Sequence, residues 1–176
     1  LFRSGSVVLA PAIILGGEQT WIHNGSAMLS VTKVNNAGYG LTVSGSSNTV
    51  IVGTLAGSGA LTKNGSGLLT LASANTYTGA TSVHGGSLVA GVGALAQSHS
   101  VFVGDGAQLS AMDLSNGGSL TVGAAGVASG GKATVGGSDL TLGQVVNQSA
   151  LPGALSFTSA SGTITIGSLS GIGNTS

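Results

Sequence analysis

Apolar and polar residues alternate in short units of three along this sequence. Leu41-Thr42-Val43, Leu69-Thr70-Leu71, Leu120-Thr121-Val122, Leu140-Thr141-Leu142 and Ile164-Thr165-Ile166 each set a threonine between two aliphatic residues. Leu29-Ser30-Val31, Val101-Phe102-Val103, Ala133-Thr134-Val135 and Leu155-Ser156-Phe157 vary the same theme. A period of two sends both flanking side chains to one face and the middle one to the other. Threonine is β-branched and fits the exposed pleat. Gly, Asn or Ser borders nearly every unit, which limits the strands to about three to five residues. No Gly-free run of ten residues carries the spacing of an amphipathic helix. The pattern predicts an all-β fold.

Two arrangements of short strands compete. Asn24-Gly25 and Asn64-Gly65 suit tight hairpin turns. A sandwich of hairpins, however, calls for longer strands with charged outer faces. A coil of short strands turning in one direction fits better, because each rung buries its inward pair on the rung below. The threonines at the unit centres, Thr42, Thr70, Thr121, Thr141 and Thr165, stand at uneven intervals. At about 20–25 residues per rung the sequence holds roughly seven or eight rungs. The prediction is one parallel β-helix (β-solenoid) over residues 1–176, with no linker and no second domain. Leu69, Leu71, Val83 and Leu88 point inward, and Thr70 and Ser82 point outward. After residue 90 the sequence becomes richer in Gly-Gly and Ala.

Composition narrows the function classes. Hydrophobic residues make up 41% and aromatics 3%, so the core is thin and aliphatic. Charged residues are 5%, far below the roughly 25% of ordinary soluble domains. Disorder driven by low hydrophobicity and high net charge is excluded, since the formal net charge is zero. Arg3, Lys33, Lys63 and Lys132 are scattered, which argues against a nucleic-acid face or a polybasic membrane patch. There is no cysteine, hence no disulfide or cysteine metal site. Val7 to Leu15 is the longest apolar run. It is too short for a bilayer span, which needs about 20 residues. Its length and the preceding Arg3 suit a signal-peptide core, but Pro11 interrupts it and the following Gly-Gly-Glu-Gln is no cleavage site. It reads as two short strands broken at Pro11. The sequence starts on Leu and ends in mid-pattern, as a section of a longer protein does.

A specific resemblance emerges between residues 57 and 89. Gly57, Gly59, Leu61, Lys63, Gly65 and Gly67 are followed by Leu69, Leu71, Asn75-Thr76-Tyr77-Thr78-Gly79, Thr81, Val83, Gly86 and Leu88. This spacing resembles the autotransporter-associated β-strand repeat, also called the passenger-associated transport repeat. Leu68 and Ala80 depart from it, standing where Thr and Gly are common. The lead-in GGEQTWIHNGSAMLSV with NNAGYGLTVSG is similar to the segment that precedes this repeat, extending the likeness to about residues 12–90. The resemblance implies a section of a type V secreted passenger, folded as a single-stranded right-handed parallel β-helix. It implies export through an outer-membrane β-barrel on the same polypeptide, and a secreted or surface location on a Gram-negative bacterium. Lack of cysteine suits passage through a narrow pore. The role implied is a stalk that assists translocation and displays a distal activity. Alternatives are an adhesive surface for host glycans, matrix or sister cells, and after it a toxin subunit.

The residues able to do chemistry are few. His23, His84 and His99 have no metal-ligand spacing, so no metal or cofactor is expected. Asp105, Asp113 and Asp139 with Lys132 fit poorly with the clustered carboxylates of polysaccharide-acting enzymes. Asp113 and Asp139 stand near one rung apart, whereas Asp105 and Asp113 are separated by only part of a rung. No catalytic residue is nominated, and Gly57-Ser58-Gly59 and Gly65-Ser66-Gly67 lack the context of a nucleophile elbow. Trp21 and Tyr77 are read as packing aromatics rather than sugar platforms. Lys63 is read as a solvated turn cation. Asn75 is read as a corner residue bonding its local backbone, with Tyr77 closing over the coil. Thr163-x-Thr165 is the one clean pair of outward threonines of the kind ice-binding arrays need. Unpaired end rungs with few charges predict end-to-end self-association.

Overall fold

A computed structural model describes residues 7–114, 118–123, 130–137, 140–158 and 163–171. The backbone winds into a coil, and each rung contributes strands in the same order. The first rung holds β1 (Val7–Leu9), β2 (Ile13–Ile14) and β3 (Gln19–Ile22). The second holds β4 (Leu29–Val31), β5 (Val34–Asn35) and β6 (Leu41–Ser44), and the third β7 (Thr49–Ile51), β8 (Leu55–Ala56) and β9 (Leu61–Lys63). Two strands per rung follow: β10 (Leu68–Leu71) and β11 (Thr81–Val83), then β12 (Ser87–Ala90) and β13 (Ser100–Val103). The last rungs hold β14 (Gln108–Met112) and β15 (Ser119–Val122), β16 (Lys132–Gly136) and β17 (Leu140–Asn147), β18 (Leu155–Thr158) and β19 (Ile164–Gly171).

Stacking these rungs gives two eight-stranded sheets and one of three strands, β2-β5-β8. All described pairings are parallel. With eight strands in each main sheet, the coil advances about seven turns from first rung to last. The described residues contain no helix. Asn24-Gly25 and Asn64-Gly65 are corners of the coil, not hairpins.

Alternation explains which side chains fill the lumen. Leu69 sits over Thr49 and under Leu88, and Leu71 over Ile51 and under Ala90. On the opposite sheet Leu41, Leu61, Thr81 and Val101 stack in register. Leu69, Leu71, Val83 and Leu88 are fully buried, as the sequence predicts. Thr70 and Ser82, between them, are half-buried on the outer face. Burying each such leucine stabilises the fold by about 1.5–3 kcal/mol. The break at Pro11 also lies where expected, between β1 and β2. Thr32 Oγ1 reaches down from the second rung to the Leu9 and Ala10 carbonyls (3.1 and 2.7 Å) and holds that break in place.

The third sheet stops at β8, but its side of the coil continues as hydrogen-bonded irregular backbone. Thr76 and Tyr77 both donate their N–H to the Leu55 carbonyl (3.0 and 3.2 Å), and Thr78 donates to Gly57 (3.0 Å). This corner carries the side chains described next.

Candidate functional site

Among the described residues, most of the polar side chains sealed inside the coil lie between the second and fifth rungs. Asn36, Thr49, Lys63, Asn75, Thr81 and Ser98 are all buried there. Lys63 ends β9 on an inward position, over Val43 and under Val83. Only 2% of it is exposed, which corrects its reading as a solvated cation. Alternation drives the stem inward, and the ammonium snorkels to the corner. There Nζ donates to the carbonyls of Asn64 (2.7 Å), Gly65 (2.8 Å) and Gly85 (3.1 Å). Desolvation pushes its pKa below the usual lysine value, while three carbonyl dipoles hold the charged form. The corner requires glycine at 65. Its φ is +72°, and a Cβ there would collide with the Gly45 carbonyl beneath.

Asn75 ties three rungs rather than its own backbone, a second correction. Its Oδ1 accepts from Leu55 N (2.8 Å) below, and its Nδ2 donates to Ala94 O (3.0 Å) above. The closed coil brings those groups within reach, whereas a local Asx bond serves only an isolated turn. Asn36, two rungs earlier, joins only its own corner to the rung above, donating to Gly59 O (2.8 Å) and accepting from Gly59 N (3.0 Å) and from Gly38 N (3.2 Å).

Tyr77 is 1% exposed and closes the lumen, as predicted. Its hydroxyl shares a hydrogen bond with Thr81 Oγ1, which bonds Ser98 Oγ at 2.8 Å. Ser98 Oγ reaches the carbonyls of Gly79 (3.0 Å) and Ser100 (3.1 Å). Burial pushes the Tyr77 phenol up to about 12, against a smaller opposing effect of its hydrogen bonds. Ser98 and Asn36 were missed in the sequence, because neither lies in an alternating run.

The remaining candidates are spread over the coil. Trp21 is half-buried in β3 and packs against the core. His23 Nδ1 lies 3.1 Å from the Asn48 carbonyl, and the His84 ring stands tilted 5.5 Å from Phe102. His84 and His99 are exposed. Asp105 and Asp113 sit beyond opposite ends of β14, Asp113 with a φ of 63°. Asp139 lies outside the described residues. Among the described residues no three His, Asp or Glu side chains gather as a metal-ligand group. Thr163 and Thr165 are both exposed.

Residues 61–90 match the family model described as passenger-associated-transport-repeat. This segment is similar to the passenger-associated transport repeat. The repeat opens on the first residue of β9 and closes on the last of β12. Lys63, Asn75, Tyr77 and Thr81 fall inside it, so the repeat contains the ties that bind its rungs to their neighbours. It is narrower than the likeness over residues 12–90 read from the sequence. No curated protein and no solved structure matches the chain.

Proposed function

We propose that this protein is a section of an autotransporter passenger, working outside a Gram-negative cell as a non-enzymatic β-helical stalk. The observation behind this reading is the coincidence of the transport repeat with a strand-bounded piece of coil whose polar groups are engaged in inter-rung ties. Such a segment completes each rung on the one about 20 residues before it, so only a short loop has to close at each step. Rungs completed outside the cell oppose backsliding through a narrow pore. The stalk then carries a distal activity away from the membrane and from the protein's own β-barrel. The test deletes residues 57–89 from the full-length parent protein and measures surface display and ligand binding per displayed molecule. Display falls on this reading, while binding per molecule persists. Normal display with lost binding transfers the role to adhesion.

One surface favours that second reading. Ser87, Val89, Gln108, Ser110, Lys132 and Thr134 line a groove of about 360 Å³ on the outer face of β12, β14 and β16. Its short hydroxyls and single cation suit the hydroxyl groups of a glycan. Leu9 on β1 and Leu169 on β19, 38% and 68% exposed, support end-to-end association of the section taken alone. Light scattering over a range of concentrations checks that.

A further inference from the structure

The tripeptide Asn-Gly-Ser occurs twice at corners of the coil, at residues 24–26 and 64–66. A third Asn-Gly pair, Asn116-Gly117, lies outside the described residues. Asn-Gly is chemically labile when its backbone is free to move. The glycine nitrogen attacks the asparagine Cγ, a new N–C bond forms, and the bond from Cγ to Nδ2 breaks to release ammonia. Water then opens the resulting succinimide to aspartate or isoaspartate. The balance is one amide and one water giving one carboxylic acid and one ammonia.

The two corners differ in what holds the peptide that must rotate. At Asn64-Gly65 the attacking nitrogen belongs to the peptide whose carbonyl accepts from Lys63 Nζ at 2.7 Å. The next carbonyl, Gly65 O, accepts from the same ammonium at 2.8 Å. Asn64 N is held by Val43 O at 2.8 Å, and Asn64 is half-buried. Turning the glycine nitrogen toward Cγ breaks the Lys63 contact. At Asn24-Gly25 the inward column that holds Lys63 two rungs on is occupied by Trp21, which has no ammonium to offer. Asn24 and Gly25 are exposed, as is Ser26. The posts on either side are fixed: Ser47 N donates to His23 O (3.0 Å), and the Ser47 hydroxyl bonds Gly25 O. Among the described residues nothing bonds the central peptide itself. Ser46 meanwhile aims two donors at Asn24 Oδ1, its N–H at 3.0 Å and its hydroxyl at 3.4 Å. Donors on a carbonyl oxygen stabilise the charge that builds there when the carbon is attacked.

We infer that Asn24-Gly25 is a self-modification site, converting by succinimide formation to isoaspartate and aspartate, and that Lys63 protects the identical corner at Asn64-Gly65. Each event adds one negative charge to a protein whose formal net charge is zero, on an exposed corner outside the sheets.

The folded protein is aged at mildly alkaline pH and body temperature, in native buffer and in urea, and digested for peptide mass mapping. In the folded state Asn24 gains the amide-to-acid mass change at least about tenfold faster than Asn64, a barrier difference of about 1.4 kcal/mol. In urea the two rates converge. Lys63→Met raises the Asn64 rate and leaves Asn24 unchanged. Gly25→Ala slows Asn24 and leaves Asn64 unchanged. Equal rates in the folded wild type, or a faster Asn64, overturn the inference. If Lys63→Met fails to fold, the wild-type ratio in buffer against urea decides alone.

Discussion

Residues 49–103 and residues 118–171 belong to one coil and differ in the length of their rungs. In the first region Thr49, Leu69 and Leu88 stack in register, as do Leu61, Thr81 and Val101, so the rungs are short. Strands are three or four residues long along the two main sheets there, and buried side chains of Lys63, Asn75, Thr81 and Ser98 reach from rung to rung. In the second region Leu120, Val145 and Leu169 stack, and each rung is longer by several residues. Here β17 and β19 span residues 140–147 and 164–171 and pair along most of their length. A short rung has little backbone ladder to spare, so side chains from inside the lumen complete the joints. The long strands β17 and β19 add to their joint a backbone ladder of seven residue pairs. The same topology therefore tolerates different substitutions in its two halves.

Core truncation tests this most strongly. Leu71→Ala, at a fully buried position, is expected to cost about 2–5 kcal/mol. Ile166→Ala, half-buried on β19, is expected to cost about 1 kcal/mol. Urea midpoints of the two variants measure the gap, and equal shifts would remove the contrast between the regions.

Alkali addresses the joints next. The Tyr77 phenol ionises near 12 in the fold instead of at its ordinary 10.0. The raised value means that its stability contribution is complete below pH 10 and is lost as pH climbs toward 12. The loss amounts to about 2–3 kcal/mol, at about 1.36 kcal/mol per unit. Lys63 acts in the opposite sense: its depressed pKa penalises the fold at lower pH, and that penalty is relieved by the ordinary value of 10.5. The Tyr77 effect is therefore read above 10.5. Tyr77→Phe should flatten the stability curve in that range, and an unchanged slope would detach the phenol from the joint.

A gain comes third. Thr49 Oγ1 is buried without a hydrogen-bond partner among the described residues, beneath Leu69. Thr49→Val keeps the shape and removes the orphan hydroxyl, so thermal unfolding should show about 1 kcal/mol of added stability. Smallest of all, Thr70→Ser on the outer face should stay within about 0.5 kcal/mol of wild type.

The lumen was legible in the sequence because alternation is a local rule. Leu69, Leu71, Val83 and Leu88 needed no knowledge of distant residues, nor did the break at Pro11. The joints were not legible. Lys63 beside Asn64-Gly65 has the composition of a wet turn, and the Gly85 carbonyl that receives it is supplied only when the next rung closes. Asn75 likewise looks like any corner asparagine until Leu55 and Ala94 are stacked on either side of it. Applying the short-rung step early would have paired Tyr77 with the region of Ser98. The unit centres hid that step, because several rungs lack the apolar-Thr-apolar signature.

The rung length also sets how the coil responds to being pulled. Each rung adds only about 4.8 Å along the axis, yet drawn out, its twenty or so residues span about 66–72 Å. A tether that peels one rung at a time from a loaded end would lengthen in large steps while the remaining stack stays shut. Such a coil takes up a sudden tug by releasing slack, and it shortens again when each released loop finds the template edge of the rung beneath it.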